Sequence, residues 1–113
     1  MVPSEIELLR IKLLAIDLRL HEMTQEAQES QIDVTRLERA VDNCRLARAL
    51  GDEDAAEEEL APRLQASRDR LHRRLRTIKT AKDSRWRTRV QLAVACARKI
   101  QERQDGRDSG DGS

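Results

Sequence analysis

A chain of 113 residues holds one domain at most, and this one divides into 38% charged and 38% apolar residues with a single Trp and neither Phe nor Tyr. That balance argues against a compact globule with an aromatic core and against a β-sheet, and for helices packed along a long, thin seam. The net charge of +1 is spread unevenly: residues 4–50 carry 7 basic and 9 acidic groups, 51–61 six acids, 62–104 14 basic and 3 acidic groups, and the remainder one basic and three acidic groups.

In chain order, Ser4 and Glu7 form a capping box, in which each side chain satisfies a backbone N–H left free at a helix start. From there apolar residues recur at alternating steps of three and four: Ile6, Leu9, Leu13, Ile16, Leu20, Met23, Ala27, Ser30, Val34, Leu37, Val41 and Cys44. Only Ser30 departs from the apolar rule, and this is the mark of a coiled-coil seam. Neither Gly nor Pro interrupts residues 4–50, so a first helix of about 70 Å is expected there at roughly 1.5 Å per residue.

Gly51 supplies the left-handed position that closes a helix, and the acids Asp52, Glu53 and Asp54 favour a second helix starting at about 53, with Asp54 and Glu57 repeating the capping logic. Pro62 removes one helical hydrogen bond, which predicts a kink or a place in the first turn. Beyond it Leu64, Leu71, Leu75 and Ile78 are followed, after a step of eight, by Trp86, Val90, Ala93, Ala97 and Ile100. That step reads as a slip of register, with a break near Asp83 and Ser84 as one form it could take. Gly106 is expected to end the helix near 104 and to leave 105–113 as a disordered tail.

Folded about Gly51, the halves match as an all-α antiparallel helical hairpin. Val41 meets Leu60, Leu37 meets Leu64, Ser30 and Ala27 meet Leu71 and Leu75, and Met23 meets Ile78. Across the slip, Ile16 meets Trp86, Leu13 meets Val90, and Ile6 meets Ala97 or Ile100. The rival layout is a three-helix bundle turning near residue 83, which strands the apolar residues 6–20.

A two-stranded coil buries one stripe, yet Leu8, Ile11, Leu14, Ala15 and Leu18 lie off the seam on the first helix, as do Leu92, Ala95 and Cys96 on the second. Together they form an apolar open end that calls for a homodimer or a docked partner helix. Among the basic residues of the second half, Arg85, Arg87 and Arg89 stand out because the stretch opposite offers only Asp17, whereas the acids of residues 22–38 offset those before them. Arginine at that density suits an acidic protein surface or, secondarily, nucleic acid. The sites expected to bind a protein partner are therefore Leu8, Ile11, Leu14, Leu18, Arg85, Arg87, Arg89, Leu92 and Cys96.

Nothing points to catalysis, a metal or a cofactor: His21 and His72 lack neighbours at ligand spacing, and there is no phosphate-cradling Gly loop or paired nucleophile and base. No apolar run approaches the roughly 20 residues of a membrane span, the best stretch, Val90 to Ala97, being interrupted by Gln91. Cys44 and Cys96, without a CxxC pair or secretory signal, suit free thiols in the cytoplasm. About 55 Å would separate them along a straight hairpin, too far for a disulfide.

Two short stretches resemble known families. Leu50-Gly51-Asp52, in an acid-tipped coiled-coil corner, is similar to the transcript-cleavage factors that enter the secondary channel of bacterial RNA polymerase, which would imply a polymerase-binding role; the second domain and further tip residues of that group have no counterpart here. Leu64-Gln65-Ala66-Ser67 resembles the tubulin-folding cofactor A family, small bundles that hold β-tubulin, although the Pro before that family's third helix is missing. The function expected is a non-catalytic helical adaptor, chaperone-like or assembly factor, with a nucleic-acid or polymerase-binding factor as the alternative.

Overall fold

A computed structural model describes residues 3–52 and 56–111, with side chains placed through Gly106. It is an all-α antiparallel hairpin of two helices, α1 (Glu5–Ala49, 45 residues) and α2 (Glu57–Asp111, 55 residues).

The first turn of α1 is closed as its sequence requires. The Ser4 amide donates to Glu7 Oε2 at 3.3 Å and the Glu7 amide donates to Ser4 Oγ at 3.2 Å. At the other end Gly51 takes a φ of +97°, the Gly51 amide donates to the Arg48 carbonyl at 3.1 Å and the Asp52 amide to the Ala47 carbonyl at 2.9 Å. These two bonds are those of a Schellman closure, which satisfies carbonyls that the end of α1 leaves free. A side chain at Gly51 would meet no steric neighbour, so the requirement for glycine lies in its backbone conformation.

The second helix begins at Glu57, later than 53, with Ala56 accepting from the amides of Glu59 and Leu60 and with Glu57, Glu58 and Glu59 in its first turn. Glu53 and Asp54, and with them the expected Asp54 cap, lie outside the described residues. Pro62 sits inside α2, past the first turn, and helix continues on both sides of it. The break near Asp83 and Ser84 that the register slip left open does not occur, which rules out the rival three-helix bundle. Nor does Gly106 end the helix: α2 runs to Asp111 where a tail from 105 was expected, since a helical glycine costs only about 1 kcal/mol.

Packing falls into two stretches. In the corner stretch, His21–Lys79, the buried side chains are Met23, Ala27, Ser30, Val34 and Val41 of α1 and Leu64, Leu71 and Ile78 of α2. Their spacing pairs Val41 with Leu60, Leu37 with Leu64, Val34 with Ser67, Ser30 with Leu71, Ala27 with Arg74 and Met23 with Ile78. Leu75, expected in the seam, is exposed; half-buried Arg74 holds that layer, its Nη1 donating to the Glu26 carbonyl at 2.7 Å. Polar clasps border the core. Arg45 Nε and Arg48 Nη1 reach the two carboxylate oxygens of Glu57 at 2.7 and 3.4 Å, and Arg68 Nη2 reaches Glu38 at 3.3 Å. The hydrogen bond and charge of Glu57 raise the Arg45 pKa above its ordinary value.

In the other stretch, residues up to Leu20 with those from Thr80, the same three-four spacing continues on α2 without a slip. Ala81, Arg85, Thr88, Leu92 and Ala95 are buried or half-buried at that spacing, with half-buried Ser84 and Cys96 on the flank, and they are matched by Leu20, Ile16, Leu13, Leu9 and Ile6 of α1. Except where Leu9 meets Leu92, large aliphatic residues on α1 thus face small or polar ones on α2, which fills a gap of even width. Thr88 is the most enclosed side chain, at 1% exposure, and its hydroxyl donates to the Ser84 carbonyl at 2.9 Å. The expected pairs of Ile16 with Trp86, Leu13 with Val90 and Ile6 with Ala97 or Ile100 are therefore replaced, each by a position one to five residues earlier on α2.

Candidate protein-binding face

The residues that the slipped register placed in the seam stand outside it. Trp86 is 66% exposed and Ile100 56%, with Val90 and Val94 also exposed. They follow one another at helical steps of three and four when Ala93 and Ala97 are included, so they form a second stripe on the side of α2 directed away from its buried positions. The eight-residue step from Ile78 to Trp86 crosses from one stripe to the other. Sequence reasoning missed this because the true seam is written there in Ala, Arg and Thr, and the outer stripe in Trp, Val and Ile. The signal was present: extending the heptad from Ile78 reaches Ala81, Arg85 and Thr88 without adjustment.

The first helix carries a matching feature. Leu8 is 52% exposed, and Ile11, Leu14 and Leu18 are exposed as well, on the side of α1 facing away from Ile6, Leu9, Leu13 and Ile16. These four expected binding residues are placed as the sequence indicated. The remaining five are divided. Arg87 and Arg89 are exposed. Leu92, expected off the seam, is half-buried within it, and Ala95 is buried beside Ile6 because the unbroken register brings both inward. Cys96 is half-buried on the seam's flank, and neither it nor Cys44 is in a disulfide.

Arg85 also belongs to the seam. Its Nε lies 2.6 Å from Asp17 Oδ1, and the contact is ionic without the alignment of a hydrogen bond. This pairing uses the single acid that the opposite stretch of α1 offers, so it removes Arg85 from the charges available to a partner. Arg87 and Arg89 have no ion pair or hydrogen bond among the described residues. From Ser84 to Gln101 α2 contains no Asp or Glu, so cations border the outer stripe; the nearest acid on its face is Asp83, one turn before Trp86, and no ion pair joins it to Arg87. Arg98 and Lys99 differ, since they line a groove with Glu5 and Glu102.

No protein-family model, characterised protein or solved structure matches the chain. The two family resemblances stay confined to the short stretches that suggested them, and the hairpin lacks the third helix of a cofactor A bundle. No helix among the described residues is long and apolar enough to cross a membrane.

Proposed function

We propose that this protein is a non-catalytic helical adaptor or assembly factor that joins a second copy of itself to another protein through the outer faces of its two helices. The observation that carries the reading is the pair of exposed apolar stripes, each on one face of its helix, Leu8, Ile11, Leu14 and Leu18 on α1 and Trp86, Val90, Val94 and Ile100 on α2. Eight large apolar side chains in two rows are more than a soluble helix pair usually exposes. Each row has the form of half a seam awaiting another helix. The α1 row suits self-pairing: over residues 5–20 its helix balances three basic against three acidic groups, so two copies meet without net repulsion. The α2 row, bordered by Arg87 and Arg89, suits a different protein with an acidic surface.

A second reading, as a nucleic-acid-binding factor, draws on one observation: Trp86 stands exposed beside Arg87, a pair able to stack a base and contact a phosphate. One experiment separates the two. Sedimentation of the purified protein should give a dimer that Leu14→Glu with Leu18→Glu converts to a monomer, and affinity capture should retain protein partners after nuclease treatment. A wild-type monomer at high concentration, together with loss of every partner after nuclease, would contradict the adaptor reading.

A further inference from the structure

The outer stripe of α2 is chemically more selective than an apolar face alone, and its borders identify the kind of helix that fits it. From Trp86 to Ile100 it spans two heptads, roughly 21 Å of helix, with Val90, Ala93, Val94 and Ala97 between its bulky ends. Small residues in the middle allow a second helix to approach closely, and Trp86 offers a large apolar anchor of the sort that dominates interface energetics. Arg87 and Arg89 project to opposite sides of Val90, since each lies about 100° around the helix from one of its neighbours in the row. Both are exposed and without a carboxylate partner among the described residues, whereas Arg68 has Glu38 and Arg85 has Asp17.

Resting on the adaptor reading, we propose that this stripe is the docking seam for an amphipathic helix of another protein whose apolar row is bordered on both sides by Asp or Glu. The helix lays its apolar row over Trp86, Val90, Ala93 and Ala97, and its carboxylates meet the guanidinium groups of Arg87 and Arg89. Arginine is the better residue for this contact because its planar fork can bind a carboxylate through two parallel N–H bonds. A second copy of the chain fits less well. The α1 row has Glu7, Arg10, Lys12 and Asp17 about it, a mixture of signs that gives cationic borders no net attraction.

Trp86 is the chain's one aromatic residue and sits on the stripe, so its fluorescence reports occupancy directly. The probes are two synthetic helical peptides with the same Leu row, one bordered by Glu and the other by Lys. The Glu peptide should move Trp86 emission to shorter wavelength and bind at least about tenfold more tightly than the Lys peptide, and raising salt from about 50 to about 300 mM should erode that preference. In the Arg87→Glu, Arg89→Glu variant, with helicity checked by circular dichroism, the preference should reverse. Equal binding of both peptides would overturn the charge selection and leave the adaptor reading standing. So would an emission shift produced by concentrating the protein alone, by anionic vesicles alone or by single-stranded DNA alone, each of which assigns the stripe to a different occupant. Absence of any shift with either peptide, in a protein that still dimerises through α1, would overturn the docking seam itself.

Discussion

Arg74 and Arg85 sit at seam positions where a coiled coil ordinarily places a leucine, and each is accommodated differently. Arg74 sends its guanidinium to the Glu26 carbonyl, so its charge leaves the core while its methylenes remain. Arg85 pairs with Asp17 at a site where both side chains stay about two-fifths exposed, at 43% and 42%. Solvent screening at that exposure keeps the pair worth about 1 kcal/mol or less. A polar residue at a seam position is a cost in stability that specifies register. Replacing Arg85 by Leu should therefore leave thermal stability unchanged or raise it by up to about 1 kcal/mol. A loss of more than about 1 kcal/mol in chemical denaturation would mean that the ion pair contributes more than its exposure allows.

At the scale of the helices, the seam of α1 was fully legible from Ile6 to Cys44, because every position but Ser30 is apolar and the alternation of three- and four-residue steps is never broken. The seam of α2 was legible only as far as Ile78, and even there Leu75 drew attention away from Arg74. The cause is packing: α1 supplies bulky residues, so α2 must supply small ones, and Ser67, Ala81, Thr88 and Ala95 carry no strong hydrophobic signal. The more apolar row on α2 therefore reads as the core in sequence. The candidate site was legible on α1 because its outer row is apolar too, whereas on α2 the cations were legible and the apolar row beside them was not. Leu71 and Leu75 provide the contrast. Leu71→Ala, at a buried position, should destabilise the fold by about 2–4 kcal/mol. Leu75→Ala, at a residue 48% exposed, should cost less than about 1 kcal/mol. Equal losses in urea denaturation would place both leucines in the core.

Over the whole chain, the partition of charge follows the partition of packing. The acids of α1 between Glu22 and Asp42 lie in the corner stretch with the arginines from Arg63 to Arg76, and the clasps there, Arg45 and Arg48 with Glu57 and Arg68 with Glu38, consume opposite charges. The other stretch is left with a cationic excess, and that is also where the apolar rows emerge. The proposed docking surface lies where exposed apolar rows and the unpaired cations Arg87 and Arg89 occur together. The outer row exists only because the register of α2 is unbroken, since a slip would bury Trp86 and Val90 and dissolve it. Disulfide trapping tests that register directly in a protein whose native cysteines are replaced by serine. Leu13→Cys with Thr88→Cys should oxidise readily to an intramolecular disulfide, and Leu13→Cys with Val90→Cys should not. Rapid closure of the second pair and failure of the first would contradict the account.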